Sequence, residues 1–374
     1  MTLVNYDPLS GRKEGSFSLV FKAFDKVEGK PVALKFYDPD PLWVNNLYRM
    51  SCFARESDIL RDVLGVDRCL QLVRPLTTYD IAIPVAGTGV VATLSCQYFV
   101  VDWLDDKIDH YFLNQDKYDA LEKLELFNEI LLAVDALHRK EIFHRDLKAD
   151  NLRGYRVKGR RSVVAIDLGT AAKFFSPSLD PTSYPMGAVG AFPFASPEAL
   201  CRLATVRPLG RYCDVYALGC LLFQLFHYDL YYNAVRYVNL DYDVRLSALS
   251  SMLPIGGSEA ARLAQWQSGV DIFGRGVVPV PMDGSGSSAP AGVATLIGAL
   301  LSGLTHIDYR KRLTLDVARR KVWTAITVLR NERLYRRRVE RRRIRREQRI
   351  QKLMAKQQRL LAATNPSEGR NARS

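Results

Sequence analysis

Short apolar runs dominate the first hundred positions. "FSLVFKAFD", "KPVALKFYD", "CLQLVRPLTTYDIAIP" and "TLSCQYFVVDWL" are rich in Val, Phe, Tyr and Leu and are broken by Gly, Pro and Asp, a pattern that predicts strands. One segment differs. "VNNLYRMSCFARESDILRDVLG" sets Leu47, Met50, Phe53, Ile59 and Leu60 at helical spacing and stops at Gly65, so a single helix is expected inside this strand-rich region. Beyond Leu104 the period lengthens. "KYDALEKLELFNEILLAVDALHRKE" alternates apolar and charged residues over about seven turns. "VYALGCLLFQLF" and "GVATLIGALLSGL" are apolar throughout, yet shorter than the roughly 18 to 20 residues of a membrane span, and read as buried helices. "FHRDLKADNLRGYRVKGRRSVVAIDLGTA" is too punctuated for helix and suits a loop followed by two short strands. Residues 254–293, including "PMDGSGSSAPAG", read as an extended loop or insertion, and no repeat of fixed period is present.

Composition narrows this picture. At 374 residues, 48% apolar and 25% charged, the chain has the size and make-up of a two-lobed globular protein and not of a disordered one. The start, "MTLVNYDPLSGRKEG", lacks a basic region followed by an apolar run, so a cleaved secretory signal is not expected. Six cysteines without a C-x-x-C pair suggest neither a zinc site nor a disulfide framework, which fits a reducing setting, cytoplasmic or, in a eukaryotic host, nuclear. Charge is uneven. Arg333 to Arg359 holds 13 Lys or Arg against two Glu, most of the chain's net charge of +13.

The octet His144 to Asn151, "HRDLKADN", carries chemistry. Phosphoryl transfer needs a carboxylate to orient the attacking hydroxyl, a cation near the moving phosphate and an oxygen ligand for Mg²⁺. Asp146, Lys148 and Asn151 fit those roles in that order. Sixteen residues on, "DLG" offers Asp167 as a second ligand, since hard Mg²⁺ takes oxygen donors and keeps waters and nucleotide phosphates as its others.

From Glu14 to Thr314 the chain resembles the eukaryotic-type protein kinase family. The resemblance implies an α+β bilobal fold, a small β-rich N-lobe with one main helix (residues 1–104) and a larger helical C-lobe (105–330); the charge run adds a basic helical tail (331–374). The resemblance also implies ATP and Mg²⁺ as cofactors, with Lys35 of "VALK" on the nucleotide phosphates and Glu56 of "FARESDIL" as its partner. Val20, Ala33 and Leu152 fall where the family sandwiches adenine, and Asp102 to Leu104 where its hinge bonds the base. "SPE" is similar to the family's Ala-Pro-Glu segment, with Glu198 expected to pair with Arg312, and Asp214 of "CDVYALGCLLF" resembles the anchor of the catalytic loop. Arg145 corresponds to an arginine that often pairs with a phosphate between "DLG" and "SPE"; Thr182 or Ser183 is the expected site there, while Arg145 as a purely local brace is the plain alternative.

Two departures matter. The family's threonine after the glycine of the substrate-facing loop is here Ala191, after Gly190. The glycine-rich loop aligns as Lys13, Gly15, Ser18 and Val20, so one glycine of three survives, which is expected to weaken nucleotide binding by about 1 kcal/mol. Lys148 favours Ser/Thr acceptors on protein substrates, the chain itself included. The alternative is a pseudokinase scaffold that binds nucleotide weakly and recruits partners through its tail. A small-molecule kinase is disfavoured by "SPE" and "DVYALG". The arginine-rich segment continues from "RRLTLDVARRKVWTAITVLRNE" without a breaker and predicts a long helix; a solvated charged helix is the plain alternative, and an acidic protein or nucleic acid fits it better than a membrane, because few large apolar residues interleave with the arginines.

Overall fold

The structure, a computed structural model, describes residues 1–7, 12–13, 18–40, 44–84, 87, 89–173, 190–204, 206, 209–253, 258–281 and 291–364, the side chains of 6–7, 12–13, 291 and 357–364 excepted. Gly15 and the candidate acceptors Thr182 and Ser183 lie outside the described residues. By internal contacts the chain divides into two units, Met1–Trp323 and Thr324–Ser374.

The first unit opens with a five-stranded antiparallel sheet. Its strands are β1 (Thr2–Leu3), β2 (Ser18–Asp25), β3 (Lys30–Tyr37), β4 (Leu72–Pro84) and β5 (Val91–Asp102), in the order β1-β2-β3-β5-β4. Register decides which side chains share a face. Val20 stands opposite Lys35, and Ala33 lies two residues before Lys35, so Val20, Ala33 and Lys35 project from one side of the sheet. Helix α1 (Leu47–Asp62) is capped by the Asn46 side chain, which accepts from the Arg49 N–H at 3.1 Å. It buries Phe53, Ile59 and Leu60, and Phe53 packs against Phe99 of β5 with ring centroids 5.0 Å apart.

In the helical half, a short helical turn at His110–Leu113 precedes α2 (Ala120–His138). It is shorter than its sequence period suggests, because Asp119 and Glu122 form a capping box that fixes its start and Glu141, at φ 58°, turns the chain away beyond its end. Strands β6 (Ile142–Phe143), β7 (Leu152–Val157), β8 (Arg160–Ala165) and β9 (Ala172–Lys173) follow, β7 pairing with β8 and β6 with β9. Helices α3 (Gly210–Phe226), α4 (Tyr231–Val238), α5 (Tyr242–Met252), α6 (Glu259–Phe273) and α7 (Ala291–Leu304) complete the lobe. Helix α6 corrects the expectation of an extended loop in 254–293, the alternative there being an insertion. Ser258 caps it, and Trp266, Val270 and Phe273 bury one face at helical spacing, a signal that the Gly, Ser and Pro clusters on either side obscured.

Helix α8 (Leu315–Thr364) supplies the last residues of the first unit and all described residues of the second. Among the described residues no helix is long and apolar enough to cross a membrane.

Candidate active site

Lys35, on the inward face of β3, places its Nζ 2.7 Å from both carboxylate oxygens of Glu56 on α1 and 3.7 Å from Asp167. Burial pulls the Lys35 ammonium down, but the Glu56 and Asp167 carboxylates outweigh it and hold the pKa above the usual lysine value. The lysine therefore stays charged, and it faces more negative charge than it neutralises.

The segment after Asp167 is fastened to α1. Arg55, next to Glu56, donates to the Gly169 carbonyl at 3.2 Å, and a Cβ added to Gly169 would press on the Cys52 carbonyl at 3.2 Å. Asp167 itself sits at φ 62° and ψ 63°, a left-handed conformation uncommon for a side chain other than glycine.

Across the site, the "HRDLKADN" loop is hung from Asp214 of α3. That fully buried carboxylate accepts from the backbone N–H groups of His144 (2.8 Å) and Arg145 (2.7 Å) and from the His138 ring (2.8 Å). The loop presents Asp146, whose Oδ1 accepts the Ala191 N–H and whose Oδ2 accepts the Asn151 Nδ2 at 3.0 Å. Lys148 Nζ lies 3.6 Å from Oδ2. Burial raises the Asp146 carboxyl, with Lys148 opposing.

Asn151 Nδ2 also donates to the Asp146 carbonyl at 2.8 Å. Both partners are acceptors, so the amide nitrogen must face them and the amide oxygen is turned the other way. Asn151 and Asp167 each offer a hard oxygen, the kind of donor that Mg²⁺ takes beside water and phosphate, so their chemistry fits that ion. Among the described residues no group of three or more His, Cys, Asp or Glu could hold a metal ion.

Ser18 opens β2; its carbonyl accepts from the Asn5 amide, and Asn5 Oδ1 accepts from Val20 N–H at 2.8 Å. Leu152 is fully buried at the start of β7, and Ala33 is buried on β3. At the hinge, Asp102 donates its N–H to the Gln71 carbonyl at 3.1 Å and pairs with Lys30. Arg145 is buried, and its guanidinium donates to the Thr170 and Ala204 carbonyls; Thr182 and Ser183, its expected phosphate-bearing partners, lie outside the described residues. Glu198 and Arg312 form the expected pair, two parallel bonds with Nη2 2.8 Å from Oε2 and both side chains fully buried. His138, Arg55 and Asn5 carried no signal in the sequence.

A family model for the protein kinase domain matches residues 13–324. The chain belongs to the protein kinase family. It is 35% identical over 133 residues to the probable serine/threonine-protein kinase PknB of Lactococcus lactis, a stretch covering 35% of this chain and 20% of that protein. It is 25% identical over 213 residues to the probable serine/threonine-protein kinase 2 of Plasmodium falciparum, covering 57% and 36%, and 26% identical over 217 residues to the serine/threonine-protein kinase ppk21 of Schizosaccharomyces pombe, covering 57% and 35%. The chain thus spans between a fifth and just over a third of the length of these kinases.

Proposed function

We propose that the chain is an ATP- and Mg²⁺-dependent protein kinase that transfers the γ-phosphoryl group to Ser or Thr hydroxyls of protein substrates, itself included. The observation that carries this reading is the Asp146 carboxylate, partly buried, fixed at both oxygens by Ala191 and Asn151, and accompanied by Lys148. A carboxylate so held can accept the hydrogen bond of an incoming hydroxyl and aim its oxygen. Lys35, locked by Glu56, would pair with the α and β phosphates. Asn151 and Asp167 would hold Mg²⁺, which when bound neutralises charge on the transferred group. Val20, Ala33 and Leu152 would enclose the adenine, with Leu104 at the hinge, and Gly15 and Ser18 would line the phosphates.

Residues 1–104, 105–330 and 331–374 are taken as N-lobe, C-lobe and basic tail, the tail serving an anionic partner. A second reading, a pseudokinase scaffold, draws on Lys13 and Ser18 where the family has glycine. ATP turnover with generic protein substrates, beside Lys35→Met and Asp146→Asn, separates the two: the kinase reading expects transfer lost in both variants, whereas a scaffold shows none in the parent chain.

A further inference from the structure

The second unit sorts its charges by azimuth. Arg338, Arg342, Arg345, Arg349, Lys352 and Lys356 of α8 recur at alternating steps of four and three residues. At 3.6 residues per turn they share a sector of about 80°, and at 1.5 Å per residue the stripe runs about 27 Å. The three glutamates of this stretch, Glu332, Glu340 and Glu347, all fall on the opposite side of the helix. There Glu332 pairs with Arg336, and Arg343 lies 2.8 Å from Glu340 and 3.7 Å from Glu347. Among the described residues the six cations of the stripe take part in no ion pair, and all six are exposed. On the side with the glutamates, Arg333, Arg336, Arg337 and Arg343 are offset by three carboxylates, whereas the stripe is a continuous row of positive charge with none.

We propose that this row docks on the phosphate backbone of a nucleic-acid duplex. The proposal deepens the reading of the tail as a site for an anionic partner and does not depend on phosphoryl transfer. Protein interfaces draw their energy from a desolvated apolar or aromatic centre, and the stripe has none. Phosphate binding draws on counterion release and needs only charge in a line. Four of the six cations are arginines, whose planar fork matches phosphate oxygens. A membrane surface would need a continuous apolar face beside the cations; Tyr335, Val339, Ile350, Leu353 and Met354 are exposed, but Arg342, Arg343 and Arg346 interrupt them. Single-stranded nucleic acid is held largely by stacking on aromatic rings, and Tyr335 is the one aromatic residue from Arg333 to Ser374.

The test is fluorescence anisotropy of the full chain with a labelled DNA duplex of about 24 base pairs, titrated at several salt concentrations, with the matching single strand, polyglutamate and anionic vesicles as competitors. Six phosphate contacts predict that log K falls with log salt at a slope of about −5. The quadruple variant Arg338→Ala, Arg342→Ala, Arg345→Ala, Arg349→Ala should lower that slope to about −2 and weaken binding by at least a hundredfold at low salt. Alanine keeps the helix, which circular dichroism verifies. The pair Arg336→Ala, Arg343→Ala on the opposite side should change affinity less than fivefold. Equal losses from the two sets overturn the proposal, as does tighter binding to the single strand. Tighter binding to polyglutamate or vesicles overturns it while leaving the anionic-partner reading in place; no binding to any probe removes both.

Discussion

The backbone N–H of Ala191 donates to Oδ1 of Asp146 across 45 residues of chain. The alanine brings no hydroxyl to the substrate-facing loop, so the carboxylate is aimed by main chain on one side and by Asn151 on the other. The contact depends on Gly190, which stands at φ 93° with its Cα against the Arg145 carbonyl.

A Cβ at Gly190 would collide with that carbonyl oxygen in a conformation that side chains rarely adopt. Gly190→Ala is therefore expected to displace Ala191 and lower kcat by about a hundredfold, with the KM for ATP nearly unchanged, since misplacing a reacting group by about 1 Å costs that much. Steady-state kinetics against both substrates check this.

The pH dependence follows from burial of Asp146, which raises its carboxyl above the usual value of 3.8. A raised pKa means the carboxylate is lost, as pH falls, at a higher pH than for an exposed aspartate. The acid limb of the kcat/KM profile is expected above the ordinary aspartate range. The same shift favours the neutral form in the fold, so the charge costs stability above the folded pKa and nothing below the unfolded one. Asp146→Asn is accordingly expected to hold or raise the Tm at pH 7 while abolishing transfer. Thermal unfolding at pH 7 and at pH 4 shows whether the difference shrinks in acid, as it should.

Arg312 and Glu198 test how the C-lobe is held together. Removing one member of a fully buried pair strands the other charge, so Arg312→Leu or Glu198→Ala is expected to cost about 3 to 5 kcal/mol. The double variant should lose less than the two single losses added, and denaturant unfolding of all four proteins measures the coupling.

All six cysteines are buried, and burial raises every thiol, Cys69 to about 11 and Cys201 to about 12. With so little thiolate at neutral pH, the native protein is expected to resist a thiol reagent for hours and the denatured protein to react at all six positions. Labelling followed by intact-mass measurement counts them.

The lobes and the strands were legible because the apolar period changes near Leu104, and "HRDLKADN", "DLG" and "SPE" each carry their meaning within a few residues. Glu56 and Arg312 were legible only through the order of motifs around them. Contacts made by main chain were not. Ala191 registered in the sequence as a lost hydroxyl, because the N–H that aims Asp146 belongs to every residue but proline. The His138 ring meets Asp214 from 76 residues away, at the end of a helix whose pattern signals only burial. The guanidinium of Arg145 holds the Thr170 and Ala204 carbonyls, acceptors that no side-chain pattern announces.

The proposed role of Asp146 is tested most directly by single-turnover transfer from radiolabelled ATP to a generic Ser/Thr substrate, comparing the parent chain with Asp146→Asn. The reading expects measurable transfer in the parent chain and a loss of at least a thousandfold in the variant, with ATP affinity within about threefold. Transfer at an unchanged rate in Asp146→Asn would contradict it.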